Sequence, residues 1–177
     1  MTEDELIAVV QAQAVARSLP PPAACNAVTA VEAAVGFAMP PLLRRLYLEV
    51  ADGGFGPDLW EAVSLTDNGH HFGDVEDLAT VYRAYQSDSD ADSRPGLVPL
   101  VERGCCIWNM VDFSSPGGEV WEWDPNQRCL RHAVFPRQQT LAQWIERWNG
   151  PDLAPDPPPT DCAECLGPTD GSAGCGW

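Results

Sequence analysis

The stretch Cys105-Cys-Ile-Trp-Asn-Met-Val-Asp-Phe-Ser-Ser-Pro-Gly-Gly-Glu-Val-Trp-Glu-Trp-Asp124 decides the fold. Its first part alternates, with Cys105, Ile107, Val111 and Phe113 on one face of an extended segment. Ser114 to Gly118 then gathers serine, proline and glycine, the residues that turn a chain. Glu119 to Asp124 alternates again. Trp121 and Trp123 share one face and Glu122 and Asp124 the other, because strand side chains repeat every two residues. Strand, turn and strand in direct succession predict an antiparallel hairpin of residues 105–113 and 119–124.

The same reading extends outward. Leu97 to Val101 is a strand before the hairpin. Pro125-Asn126 turns the chain, and Cys129 to Phe135 is the last strand. Thr140-Leu-Ala-Gln-Trp-Ile-Glu-Arg-Trp-Asn-Gly150 reads as one complete helix. Thr140 and Gln143 form a capping box, Leu141, Trp144, Ile145 and Trp148 make an apolar stripe, and Gly150 ends it.

The first half carries helical periods instead. A helix from about Glu3 to Arg17 is stopped by Pro20-Pro-Pro22. A short one, Thr29 to Val35, ends at Gly36. The next, Pro41 to Ala51, buries Leu42, Leu43, Leu46, Tyr47 and Val50 and ends before Gly53-Gly54. A short strand is expected near Leu59 to Leu65. A helix from Asp74 to Tyr85 has Asp74 as N-cap and Val75, Leu78, Ala79, Tyr82 and Tyr85 inside. Ser87 to Arg94 is an acidic loop. Helices followed by antiparallel strands predict an α+β domain.

Residues 150–177 differ in composition, with six prolines, five glycines, five acids and no basic residue. Such a segment buries too little apolar surface to offset the entropy of ordering it. One domain over residues 1–150 and a flexible tail over 151–177 are expected.

The 177 residues carry a formal net charge of −16; all ten basic residues are arginine. Up to Asn149 there are 21 acids and ten arginines, a net charge of −11. Direct nucleic-acid binding is excluded as an expectation, because phosphate affinity comes from positive charge. A basic protein partner is the natural counterpart of this surface. No apolar run approaches the roughly 20 residues that span a membrane. The acidic start, Met1-Thr-Glu-Asp-Glu, is unlike a secretory leader, so a cytoplasmic protein is expected. Seven cysteines, an odd number, do not suggest a disulfide framework; reduced, mostly buried thiols are expected.

Three blocks in order resemble the SUKH superfamily, the group of fungal cell-wall-synthesis regulators and many bacterial immunity proteins. The first runs from Val31-Glu-Ala-Ala-Val-Gly-Phe-Ala-Met-Pro-Pro-Leu-Leu-Arg-Arg-Leu-Tyr47 through Gly53-Gly-Phe-Gly56, with Asp52 where the family usually has asparagine. The second joins Leu97-Val-Pro-Leu100 to Gly104-Cys-Cys-Ile-Trp-Asn-Met-Val-Asp112. The third is the Trp144-Ile-Glu-Arg-Trp148 helix. The resemblance implies an α+β fold with helices packed on one side of a mostly antiparallel sheet. It also implies a protein that works by binding proteins, with no shared catalytic residues.

With helices on one side only, the tryptophans of Glu119 to Asp124 face either core or solvent. The favoured arrangement puts Trp121 and Trp123 in the core and Glu122 and Asp124 on the open face. Glu119, Glu122, Asp124, Trp121, Trp123 and Asp112 are the candidate partner-binding residues. Tryptophan is enriched at binding hot spots, and acids steer a basic partner.

Chemistry is expected to be absent. Cys105 or Cys106 with His132 and Asp112 supplies the residue types of a triad but no nucleophile turn. Cys162-x-x-Cys165, with Cys175 beyond, falls short of the four soft ligands of structural zinc. His70-His71 reads as a solvated loop. No cofactor and no metal are expected. The resemblance, taken with the acidity, therefore implies a non-enzymatic immunity protein that neutralises a bacterial polymorphic toxin, for example a nuclease, by stoichiometric occlusion. The alternatives are a regulatory scaffold for an endogenous protein and a thiol enzyme.

Overall fold

The alternation on either side of Ser114–Gly118 becomes an antiparallel pair in the computed structural model, which describes residues 1–57, 60–67, 69, 77–88, 93–126 and 133–149. Four strands, β1 (Leu97–Glu102), β2 (Trp108–Asp112), β3 (Glu119–Trp123) and β4 (Val134–Thr140), lie side by side in chain order, each antiparallel to the next. Met110 faces Trp121 and Trp108 faces Trp123 across the central pair. The helices are α1 (Glu3–Arg17), α2 (Cys25–Val35), α3 (Pro41–Arg45), α4 (Leu78–Ser87) and α5 (Leu141–Trp148). Leu46–Val50 continues α3 as a π-helical turn, closed by the Ala51 N–H on the Leu46 carbonyl. The architecture is α+β, as the residue periods predict.

Several boundaries move, each for a local reason. α1 does not wait for the prolines. Ser18 turns left-handed at φ 54° and its N–H returns to the Ala14 and Val15 carbonyls. α2 begins a turn earlier than expected, at Cys25. Asp77, not Asp74, caps α4: its carboxylate accepts the Thr80 N–H at 3.1 Å. Asp74 and Val75 lie outside the described residues. The last strand runs on to Thr140 through Pro136, which an edge strand tolerates because one side has no ladder to donate to. Its register shifts opposite Glu119 and Trp121, and Gln138 takes a positive φ of 53° there. The Cys129–His132 part of that expected strand lies outside the described residues, as do His70, His71, Gly150 and the tail with Cys162, Cys165 and Cys175.

The start and the buried face of α5 are as the sequence describes them; the helix closes at Asn149, with Gly150 outside the described residues. Thr140 Oγ1 accepts the Gln143 N–H, and the Gln143 side chain accepts the Thr140 N–H at 2.9 Å. Leu141, Trp144, Ile145 and Trp148 are buried. They join Leu6, Val10, Val28, Leu43, Leu46, Tyr47 and Leu78 in one core. Val98, Val111 and Val120 close that core from the inner face of the sheet.

The strand expected at Leu59–Leu65 is only a bridge, Ala62 to Val101, beside the Val63 N–H on the Leu100 carbonyl. Its backbone is held by Asp52 instead. One Asp52 oxygen accepts the Leu65 N–H at 2.7 Å and the other the Thr66 hydroxyl at 2.6 Å. Asp52 is buried, so these bonds satisfy both oxygens of a carboxylate that would otherwise be costly inside. Gly53 and Gly54, at φ 83° and 78°, bring this segment backbone to backbone, with the Gly54 N–H on the Ala62 carbonyl at 2.8 Å.

Candidate functional site

β3 presents two faces, and the structure assigns them differently from the sequence expectation. The inner face carries Val120 and Glu122, both buried. The outer face carries Trp121 and Trp123, both half-buried. These two tryptophans pack with Trp108, Leu97, Met110 and Val134 into a second, smaller apolar cluster. Tyr85, from the last turn of α4, joins it, its ring 5.5 Å from that of Trp123. The Arg94 guanidinium lies 4.8 Å from the Trp121 ring centre, a cation–π distance. Glu119, exposed, shares the outer side of the strand.

The expectation that Glu122 lines the open face is therefore corrected. Glu122 is 6% exposed. Its Oε2 accepts from Arg103 at 2.9 Å, and Arg137 Nη2 lies 3.4 Å from the same oxygen. Asn109 Nδ2 reaches it at 3.5 Å. Arg103 in turn lies over the Trp60 ring at 4.1 Å. Two guanidinium groups around one carboxylate make burial of the acid tolerable, since a lone buried charge would not be. Arg103, Arg137 and Asn109 are neighbours of Glu122 that the residue pattern did not single out. Each is an ordinary polar residue at a strand or strand end, and only the sheet brings them together.

Burial raises the Glu122 carboxyl above its ordinary value, and the Arg137 and Arg103 charges pull in the opposite direction without overcoming it. The folded chain thus holds this proton more tightly than the unfolded chain. The stability linked to it is full below the ordinary glutamate range and is lost as pH rises through the raised folded value. Urea denaturation at a series of pH values across that window is expected to show a fall in wild-type stability that Glu122→Gln lacks. Parallel profiles for the two proteins would contradict the assignment.

The remaining candidates are structural where the geometry is explicit. Asp112 ends β2, and its Oδ1 accepts the Ser114 N–H at 2.8 Å and the Ser114 hydroxyl at 2.6 Å. Asp124 follows β3 and accepts the Asn126 N–H at 2.9 Å. Both carboxylates fold the chain back on itself in turns of the kind aspartate favours.

The described thiols are not buried, against the expectation. Cys25, Cys105 and Cys106 are exposed. β2 begins only at Trp108, and Gly104-Cys105-Cys106-Ile107 is a turn closed by the Ile107 N–H on the Gly104 carbonyl at 3.0 Å. Asp112 sits at the far end of β2 from the turn that holds Cys106. His132 lies outside the described residues, so no triad is assembled among the described ones. Among them, too, no group of three His, Cys, Asp or Glu side chains is placed to hold a metal ion. No described helix is long and apolar enough to cross a membrane.

No protein-family model matches the chain, and no curated protein matches it either.

Proposed function

We propose that the domain is a non-enzymatic, SUKH-like protein-binding module, a cytoplasmic immunity protein that neutralises a bacterial polymorphic toxin by covering its active cleft one to one. The observation that supports this reading most is the outer face of the sheet. It offers half-buried Trp108, Trp121 and Trp123 around buried Met110, and among the described residues the helices contribute only Tyr85 to that cluster. Half-buried tryptophans beside a strongly acidic chain supply both an apolar anchor and a field that steers a basic partner. Glu119 begins β3 and Asp124, whose carboxylate also holds the Asn126 turn, follows its end; both remain candidate rim charges, and Glu122 is withdrawn from that role because it is buried.

The test begins with a partner captured from producing cells and identified by mass spectrometry. Its activity is expected to vanish at a 1:1 ratio with this protein. Association should slow as salt rises from about 0.05 to 0.5 M, where the Debye length falls from roughly 14 to 4 Å. Glu119→Arg with Asp124→Arg should slow it further. Trp121→Ala and Trp123→Ala should each weaken binding by about 30-fold or more, the size of a hot-spot loss. Circular dichroism confirms that each variant is folded. A partner that binds yet keeps its full activity would replace this reading with the regulatory scaffold.

A further inference from the structure

The turn between β1 and β2 is unusual in its backbone and in what it carries. Gly104, Cys105 and Cys106 have φ of 80°, 51° and 61°, three consecutive left-handed residues. Glycine adopts that conformation freely, whereas an L side chain pays about 1–2 kcal/mol per residue to do so. Asparagine and glycine are the usual occupants of such turns. Here two adjacent cysteines occupy it, and both are exposed. The turn is also braced from outside: Asn126 Nδ2 donates to the Cys105 carbonyl at 2.9 Å, and the same amide group donates to Asp124 Oδ1 at 3.0 Å. Strain held in place by neighbouring structure is a reason to ask what the side chains do.

We infer that Cys105 and Cys106 form a dithiol site for a trivalent arsenical, bound through both sulfurs. Two features select this ligand class. Among the described residues no third ligand-type side chain is placed with the pair, so they offer two sulfurs and no tetrahedral shell. A trivalent arsenic carrying one organic group needs two sulfurs only. Neighbouring Cα atoms are about 3.8 Å apart, below the roughly 4.4–6.8 Å over which disulfides form without strain, so direct S–S closure is disfavoured. An inserted arsenic atom lengthens the bridge and relieves that constraint. With phenylarsine oxide the step balances without oxidation. Each thiol gives up its proton, two As–S bonds form, the As–O bond breaks, the oxygen leaves as water, and arsenic stays trivalent.

The test uses the full chain with Cys162→Ser and Cys165→Ser, which removes the other closely spaced cysteine pair in the sequence. Reduced protein is titrated with phenylarsine oxide and followed by intact mass spectrometry, and the adduct is mapped by digestion. One equivalent is expected on the peptide holding Cys105 and Cys106, resistant to excess mercaptoethanol and removed by dimercaptopropanol. Cys105→Ser and Cys106→Ser should each weaken binding about 100-fold, the loss of a chelate's effective concentration. Cys105→Asn with Cys106→Gly should abolish binding and raise Tm by roughly 3–8 °C, because both residues then suit the left-handed turn. An adduct mapped to Cys25 or Cys129, single variants that bind like their parent, or an Asn-Gly turn with an unchanged Tm would overturn the assignment.

Discussion

Glu122→Arg is expected to leave no cooperatively folded domain at room temperature. The carboxylate accepts from Arg103 and pairs with Arg137, whose side chains are 13% and 7% exposed. Removing one partner from a buried ion pair costs about 3–5 kcal/mol, because the other charge is left uncompensated. Reversal does more. It places a third guanidinium beside two others, against Trp60 and the inner sheet face that carries Val120. A domain of this size has about 5–15 kcal/mol to lose. Near-ultraviolet circular dichroism and urea unfolding read the result. The control is Glu119→Arg, three residues earlier on the same strand and exposed, which should move stability by less than about 0.5 kcal/mol. Equal midpoints for the two variants would refute the buried charge cluster.

The second large effect is expected at Gly53. A Cβ there would lie 2.8 Å from the Ser64 Cα and from its backbone nitrogen, and 3.0 Å from the Ala62 carbonyl oxygen. All three atoms are backbone, so no side chain can swing aside. The φ of 83° adds the left-handed penalty of about 1–2 kcal/mol for any L residue. Moving the Ala62–Ser64 backbone would also strain the Asp52 bonds to Leu65 and Thr66 and the hydrogen bond from Tyr47 to the Val63 carbonyl. Gly53→Ala should therefore cost at least about 3 kcal/mol in urea denaturation. Gly104→Ala makes a sharp comparison. Its φ of 80° is similar, but a Cβ there meets nothing within 4 Å, so only the backbone penalty should appear. If the two substitutions cost the same, close approach of the backbones is not what requires Gly53.

These two positions show how far the residues speak for themselves. Gly53-Gly54 is legible as a turn because glycine pairs after an apolar helix are local chemistry, yet the atoms that forbid a side chain there belong to Ser64 and Ala62. Thr140 and Gln143 specify the start of α5 completely, since capping is settled within four residues. The strands of the central hairpin are equally legible, but the slide of β2 from Cys105 to a start at Trp108 is not. Alternation at Cys105 and Ile107 mimics a strand, while the three left-handed residues before Ile107 end the pairing.

That helical periods fill the first half and the hairpin the second, and that they make an α+β domain, follow from the sequence by itself, because period, capping and turn chemistry act over a few neighbouring residues; the segment before Leu65, read as a strand, is only the Ala62–Val101 bridge. The direction in which each face of β3 points was decided only by the tertiary structure. Alternation gives two faces and no sign. Tryptophan over acid suggests the tryptophans as the inner face, as single side chains compare. Arg103, 19 positions before Glu122, and Arg137 from the next strand reverse that order by meeting the carboxylate inside the fold. The tryptophans are left half-buried on the outer face. The exposure of Cys105 and Cys106 has the same origin: it depends on a turn whose hold on Asn126 spans 21 residues, beyond the reach of any local pattern.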